Sequence, residues 1–261
     1  MKKYIKKNLF YFIFIFTLFY TFKINSAEKS SIMIFAPASM KDCLSEVLGS
    51  YKKEKNVEIK EVYLGTAQLA QQIKNGAEPD FFISANIEWM RHLESRDLVL
   101  KDYTTVFLSN SLVAITNLEN FQNKSSDFFT SIKETILNTN TRISLAMVDA
   151  VPAGIYAKEY FQSIGIWEKI KSNVANSPNV RAALSFVSRG DLEYGVVYKS
   201  DALVDSRVKI IFELDPSLYT KVQYPVTILN KKENTLMLYY YLKQKKALSI
   251  FKKWGFIITD D

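Results

Sequence analysis

Short apolar or β-branched runs alternate with helix-like segments along most of this 261-residue chain. The runs are four to seven residues long: SIMIF (31–35), VEIKEVY (57–63), FFIS (81–84), LVAIT (112–116), RISLAM (142–147), YGVVY (194–198) and VKIIF (208–212). This alternation is typical of α/β folds, in which strands form sheets and crossover helices connect them. Because 48% of the residues are hydrophobic, the chain can also fill a substantial core.

The N-terminus has the layout of a secretory signal peptide. A basic start precedes an apolar run over residues 9–22, and the small residues Ser26 and Ala27 follow. A permanent membrane anchor is the alternative, but the run is shorter than the roughly 18 residues that a membrane span requires. We therefore predict that residues 1–27 are a signal peptide, cleaved after Ala27, and that the mature protein is periplasmic.

The charge and the cysteine content exclude two other classes. Five lysines and no acid lie in residues 1–27, so the net charge of +7 falls to +2 once that segment is removed. The remaining basic residues are mixed with acids, which argues against a nucleic-acid partner. Cys43 is the only cysteine, so no intramolecular disulfide can form, and the absence of a cysteine at the end of the apolar run argues against a lipoprotein. Cys43 is expected to be a small buried residue of the first helix.

Four helix starts share small or hydroxylic residues. Ser39, with Asp42 three residues later, predicts a variant capping box and a first helix that begins at Ser39. Thr66 is in the cap position of a second helix, and Pro152 suits the first turn of a third. The fourth helix is opened by the polar cluster NSPN, which includes Pro178, and Val180 is the first residue of its predicted buried stripe.

A helix start is a natural site for an anion. Its first N–H groups have no partner within the helix, and they lie at the positive end of the helix dipole. In open α/β sheets such starts gather at the carboxyl ends of strands, where Tyr198 also lies at the end of YGVVY. Each position alone has a simpler explanation: Ser39 and Thr66 as caps, Tyr198 as a half-buried aromatic. Together they predict a cage of neutral donors.

Motifs for catalysis are missing. The chain has no G-x-S-x-G or G-x-x-x-x-G-K-[ST] motif. S-x-x-K sequences occur, for example at 50–53 and 249–252, but the S-D-N and K-T-G companions are missing. The single histidine, His92, is predicted on a polar helix surface. A secreted hydrolase with Ser39 as nucleophile would therefore lack a histidine base, and we predict that the protein is not an enzyme.

Several segments resemble one known family. They are IFAPASMKDCLSEV, GTAQLAQQIKNGAEPDFFISAN, VPAGIYAKEYF, NVRAALSFVSRGDLEYGVVYKSDA, YPVTIL and FKKWGF. In this order and spacing they are similar to the periplasmic molybdate-binding proteins of ABC importers, over essentially the whole chain after residue 27.

The resemblance implies a type II periplasmic binding protein, with two α/β domains, a central cleft and two crossover connections. Domain I is expected over residues 28–110 plus 223–261, and domain II over residues 111–222. The expected ligand is molybdate or tungstate, and the expected partner is the membrane permease of an ABC importer. The resemblance implies a monomer with no cofactor and no bound nucleic acid.

The resemblance also implies the binding residues. Ser39 and Thr66 would each offer a hydroxyl and a backbone N–H, Ala153 and Val180 would offer backbone N–H groups, and Tyr198 its phenol. The oxyanion would be held through these residues without direct coordination of the metal atom. Gly65-Thr66 stands where the family usually has two serines, so the hydroxyl is kept but its rotamer is restricted by the β-methyl group.

Other ligands stay open at this point. Sulfate and phosphate are oxyanions that a similar cage would accept. Ferric ion is a further alternative, but such sites favour clustered tyrosine, histidine and carboxylate ligands. Only Tyr198 is well placed for that role.

Overall fold

The computed structural model describes residues 31–123, 132–139 and 141–259, which belong to one compact unit. The predicted signal peptide, residues 1–27, lies outside the described residues. Within them, no helix is both long and apolar enough to cross a membrane.

The strands are numbered in chain order. They are β1 Ser31–Pro37, β2 Glu58–Leu64, β3 Phe81–Ile83, β4 Thr105–Ser109, β5 Leu112–Asn117, β6 Ile143–Ala146, β7 Val174–Ser177, β8 Tyr194–Tyr198, β9 Val208–Glu213, β10 Gln223–Ile228 and β11 Ile257–Ile258. All seven apolar runs singled out in the sequence are strands. The short or more polar strands β4, β7 and β11 were not predicted, because they lack a long apolar run, and β10 was not predicted as a strand either.

The α-helices are numbered in the same way. They are α1 Lys41–Lys55, α2 Thr66–Lys74, α3 Ile87–Glu94, α4 Leu118–Gln122, α5 Ile132–Thr139, α6 Pro152–Ser163, α7 Trp167–Ile170, α8 Val180–Ser188, α9 Lys199–Val204, α10 Glu233–Leu242 and α11 Lys245–Lys253. Short 3₁₀ turns cover Ala38–Met40, Lys101–Tyr103, Lys171–Asn173 and Pro216–Leu218.

The strands form two mixed sheets. The first has the order β11-β4-β10-β3-β1-β2, with β1 parallel to β2 and β3, and with β10 antiparallel to β3 and β4. The second has the order β7-β6-β8-β5-β9, with β6 parallel to β7 and β8. We call the sheets with their surrounding elements the first-sheet half and the second-sheet half. The α/β fold class predicted from the sequence is confirmed.

The chain passes between the sheets twice. It leaves the first sheet after Ser109, enters the second at Leu112, and returns between Glu213 and Gln223. The last connection includes Tyr219, whose hydroxyl accepts a hydrogen bond from the Leu112 N–H at 3.1 Å. Side-chain contacts therefore tie the two crossing segments to each other.

The core explains why the helices lie where they do. Helix α1 buries Leu44, Val47, Leu48 and Tyr51 on one face, the stripe expected from their spacing. Cys43 is buried on the same helix, as predicted. A second apolar cluster, which includes Leu69 and Phe82, packs α2 and α3 against the first sheet. The packing holds the strand ends that precede α1 and α2 in place.

Three helix starts agree with the sequence and one differs. Helix α2 begins at Thr66, α6 at Pro152 and α8 at Val180. The cap position predicted for Thr66 is wrong, because Gly65 is the N-cap of α2 and the Thr66 hydroxyl is hydrogen-bonded to the Ala85 N–H instead. The predicted start at Ser39 is wrong: residues Ala38–Met40 form a 3₁₀ turn, the α-helix begins at Lys41, and no side chain caps it. The reason lies in the surroundings of Ser39, described below.

Candidate functional site

The carboxyl ends of six strands surround one small cavity. In the first-sheet half these are the ends of β1, β2 and β3, and in the second-sheet half those of β6, β7 and β8. The lining residues are Pro37, Ala38, Ser39, Leu64, Gly65, Thr66, Ala85, Val151, Pro152, Ala153, Asn179, Val180 and Tyr198. This is the edge at which open α/β sheets bind their ligands.

All five residues predicted as ligand contacts line this cavity. Ser39 and Thr66 come from the first-sheet half, and Ala153, Val180 and Tyr198 from the second. Each is no more than 3% exposed, so a ligand among them would be almost fully removed from water. The packing of the two sheets thus brings together residues that are far apart in the chain, such as Ser39 and Ala153, which are 114 positions apart.

The space in the cavity suits a compact ligand. The volume open to the centre of a water-sized atom is about 10 Å³. In a tetrahedral anion, the tetrahedron with the four oxygen centres at its corners has a volume of only a few cubic ångströms. A small tetrahedral anion is therefore compatible with this space. A sugar or a peptide would need the two halves to separate.

Ser39 is held by a tertiary contact rather than by its own helix. Its Oγ lies 3.1 Å from the hydroxyl oxygen of Tyr224, on β10. Both residues are buried, at 2% and 0% exposure. The hydroxyl therefore does not cap α1, which corrects the capping box predicted for Ser39 and Asp42. It is oriented instead at the cavity wall, where one hydroxyl of the pair can donate to the other and the second can donate to a ligand.

Thr66 has its hydroxyl oriented by a neighbouring strand end. The Ala85 N–H donates to Thr66 Oγ1 at 3.2 Å. Because this bond uses an oxygen lone pair, the hydroxyl hydrogen of Thr66 remains available as a donor. The preceding residue, Gly65, donates its N–H to Gln68 Oε1 at 3.2 Å, which satisfies one of the free amides of the helix start.

The helix starts of the second-sheet half contribute backbone donors. Ala153 lies in the first turn of α6, behind Pro152, and Val180 is the first residue of α8. The first N–H groups of a helix have no acceptor within it. At α8, Asn179 Oδ1 accepts the Ala182 N–H at 2.9 Å, so the cap satisfies the amide two residues further along the helix and not that of Val180, which lines the cavity.

Tyr198 closes the cavity with an unpaired phenol. It ends β8, is 1% exposed, and its hydroxyl has no hydrogen-bond partner among the described residues. Burial raises the pKa of Tyr198 well above its ordinary value of 10, so the phenol is a neutral donor. A buried hydroxyl without a partner costs about 1–3 kcal/mol, and a ligand that accepts its hydrogen bond would recover that cost.

The cavity wall carries no charged side chain within the described part of the chain. A charged group lies just behind it: Arg181, next to Val180, contacts Asp42 and Asp201. No cluster of three or more histidine, cysteine or acidic residues suited to a metal ion occurs in the ranges that the structure describes. His92 lies on α3 and is only partly buried.

The sequence analysis missed Tyr224 and the reason for a glycine at position 65. Tyr224 supports Ser39 from β10, and its only local signal is an aromatic residue in a β-branched run. Gly65 lines the cavity with an ordinary φ of −65°, so its backbone does not require glycine. A side chain is excluded at Gly65 because the opposite half of the molecule packs too closely against it. The residues next to Gly65 in the sequence do not predict this contact.

The fold and this cavity define a binding protein in which two α/β sheets enclose a small solute. The model of the bacterial extracellular solute-binding protein family matches residues 32–257. The chain therefore belongs to the bacterial extracellular solute-binding proteins.

Named relatives confirm the resemblance found in the sequence. The chain is 34% identical to the molybdate-binding protein ModA of Escherichia coli, over 89% of this chain and 91% of that protein. It is 31% identical to ModA of Haemophilus influenzae, over 88% and 91%. The solved structure of the Azotobacter vinelandii periplasmic molybdate-binding protein superposes with a TM-score of 0.76 at 17% identity, covering 88% of this chain and 100% of that one.

Proposed function

We propose that this protein binds molybdate, and tungstate by the same contacts, and delivers the anion to an ABC importer in the membrane. The observation that carries the proposal is the cavity itself. Among the residues that the structure describes, it gathers hydroxyls, helix-start amides and one unpaired buried phenol, and no charged side chain of that part of the chain lines it. The relatives that are named molybdate-binding proteins support the choice of ligand.

The chemistry of the donors fits a tetrahedral dianion that carries no proton. The proposed contacts are the hydroxyl and N–H of Ser39 and Thr66, the N–H groups of Ala153 and Val180, and the phenol of Tyr198. Hydrogen bonds to a charged acceptor contribute about 1.5–3 kcal/mol each, so several of them are sufficient for tight binding after the ordering and desolvation costs. No cofactor and no catalytic step is required.

The same arrangement predicts which anions are rejected. Inorganic phosphate, unlike molybdate, keeps at least one proton on every ion near neutral pH. No carboxylate from the described ranges of the chain lines the cavity to accept that proton. Sulfate carries no proton but is smaller than molybdate, so it would leave longer and weaker hydrogen bonds to donors on opposite walls.

We further propose that the two sheet halves are the two domains, residues 28–110 plus 223–261 and residues 111–222. They would hinge at the two crossing segments, and closure would complete the cage around the anion. The closed monomer would then present its surface to the permease. In this proposal residues 1–27 direct export to the periplasm and are removed after Ala27. Finding the exported protein with Met1 still at its N-terminus would contradict that removal.

Calorimetry with molybdate, tungstate, sulfate and phosphate tests the ligand assignment. We expect tight binding of molybdate and tungstate, and binding of sulfate and phosphate that is weaker by several orders of magnitude. The absence of heat with both molybdate and tungstate, or tighter binding of sulfate, would refute the assignment. Hydrolysis of a generic ester by the purified protein would contradict a function in binding alone.

A further inference from the structure

A charged side chain next to the site bridges the two halves of the molecule. Arg181 is the second residue of α8, in the second-sheet half. Its Nη2 lies 2.8 Å from Asp42 Oδ2 on α1, in the first-sheet half. The same Nη2 lies 3.5 Å from the carbonyl oxygen of Ser39. The guanidinium therefore contacts the opposite half at two points, one of them on a residue of the cavity wall.

The other side of the guanidinium is anchored within its own half. Arg181 Nε lies 2.5 Å from Asp201 Oδ1. Asp201 is fully buried on α9, three residues after Tyr198. Burial lowers the pKa of Arg181, but the neighbouring charges of Asp201 and Asp42 outweigh that effect and raise it. The arginine is thus charged and held in place by a partner that moves with it.

The two ion pairs differ in how they depend on closure. Arg181 and Asp201 are both in the second-sheet half, so their pair can persist when the halves separate. The contacts with Asp42 and with the Ser39 carbonyl exist only when the halves are together. A free-energy contribution that exists only in the closed form stabilises that form.

We propose that Arg181 is a latch between the halves, and that its pair with Asp42 keeps the closed form over the bound anion and slows the anion's release. This inference rests on the proposed function. Arg181 and Asp42 are positioning residues here, since neither lines the cavity.

Neutral contacts also join the halves, which makes the charged contact separable by experiment. The Tyr156 hydroxyl donates to the Ala85 carbonyl at 3.2 Å, and Trp89 Nε1 donates to the Ala150 carbonyl at 3.2 Å. Salt weakens these neutral hydrogen bonds less than it weakens the Arg181–Asp42 ion pair, because the Asp42 side chain is 38% exposed and its charge is screened. The latch therefore predicts a salt-dependent part of the dissociation rate.

The substitution Asp42→Asn tests the latch in the full chain. It removes the negative charge of the ion pair across the halves, and it leaves the buried Arg181–Asp201 pair and the contact of Arg181 with the Ser39 carbonyl in place. We expect the dissociation rate and the Kd for molybdate to rise by about 1.5-fold to fivefold, the range for a partly exposed ion pair. The salt dependence of the dissociation rate should be reduced. The direction is informative, because removal of a negative charge near an anion site would by Coulomb's law alone strengthen binding.

Two variants serve as controls. Glu88→Gln removes the same charge from an exposed ion pair with Arg91 that lies entirely on α3, and it should leave both quantities unchanged. Asp42→Glu keeps the charge and should restore most of the affinity. Stopped-flow displacement of molybdate gives the rate, and thermal unfolding without ligand verifies that each variant is folded.

The outcomes separate the inference from the proposed function. If the unsubstituted protein binds neither molybdate nor tungstate, the proposed function fails. If it binds molybdate and Asp42→Asn matches Glu88→Gln in rate, Kd and salt dependence, the latch is overturned. Tighter binding by Asp42→Asn would also overturn it.

Discussion

Gly65 and Pro178 face each other across the two halves at the rim of the cavity. A β-carbon added to Gly65 would lie 2.8 Å from the Pro178 carbonyl oxygen and 3.6 Å from Val151 Cγ2. The backbone of the β2–α2 connection therefore packs directly against the backbone that precedes α8. Since the φ of Gly65 is an ordinary −65°, it is the closeness of the opposite half that excludes a side chain here.

The substitution Gly65→Ala should weaken molybdate binding. The obstructing atom belongs to the backbone, so the halves would have to move apart and lengthen the hydrogen bonds to the anion. Overpacking of this kind costs about 1–3 kcal/mol, equivalent to a rise in Kd of about fivefold to 150-fold. Gly49→Ala on α1 is the matched control, because nothing lies within 4 Å of its added β-carbon. Equal affinities for the two variants would show that the halves do not approach this closely in the bound form.

Tyr198→Phe should weaken binding while the fold is preserved. Its hydroxyl has no partner among the described residues, so its removal costs the ligand-free protein no hydrogen bond. Loss of the donor to the anion is expected to cost about 1–3 kcal/mol of binding free energy, measured by calorimetry. Tyr240→Phe, at a tyrosine that is 58% exposed, should change nothing. Unchanged affinity in Tyr198→Phe would remove this residue from the site.

Thr66→Val and Thr66→Ser should differ in both stability and affinity. The Val variant leaves the buried Ala85 N–H without its acceptor, which costs about 1–3 kcal/mol of the free energy of unfolding, and it also removes the donor to the ligand. The Ser variant keeps both bonds and should bind within about threefold of the unsubstituted protein, given the few tenths of a kcal/mol at stake in the rotamer preference. Denaturant unfolding and calorimetry measure the two effects. Normal affinity in the Val variant would contradict a role for the hydroxyl.

Asp201 should give stability an unusual pH dependence. Burial, opposed by Arg181, raises the pKa of Asp201 from 3.8 to about 6. Between about pH 4 and pH 6 the folded chain therefore keeps a proton that the unfolded chain has lost, so this group's contribution to the free energy of unfolding decreases as pH rises.

The decrease amounts to at most about 3 kcal/mol over that window. It is measured as the difference in free energy of unfolding between the unsubstituted protein and the Asp201→Asn variant. The contributions of the other carboxyl groups are the same in both proteins and cancel in this difference. A difference that stays constant from about pH 4 to pH 7 would mean that the pKa of Asp201 is not raised.

Local sequence patterns were sufficient for much of the fold, and the resemblance to the molybdate-binding family supplied the list of candidate ligand residues. The seven apolar runs predicted strands because burial of a strand needs only a few consecutive apolar residues. Thr66, Pro152 and Val180 mark helix starts because the chemistry of a helix start is local to one turn. The proposed roles of these residues as ligand contacts are still predictions, which the substitutions above test.

Ser39 shows where local patterns stop being sufficient. Its spacing from Asp42 is that of a capping box, but its hydroxyl is hydrogen-bonded to Tyr224, 185 residues further along the chain. The N–H groups of the helix start and the Tyr224 hydroxyl would each give the Ser39 hydroxyl a comparable hydrogen bond. The tertiary fold decides between them, because it brings the Tyr224 hydroxyl within bonding distance. No window of neighbouring residues contains that information.

The sequence by itself thus determined the alternation of strands and helices, the four small or hydroxylic turns and the neutral character of their donors, since these properties depend on residues a few positions apart. Only the tertiary structure decided that Gly65 meets Pro178 and that Arg181 reaches Asp42. Those contacts arise where two independently ordered sheets meet, and their distances depend on the packing of the whole molecule rather than on any local preference of the chain.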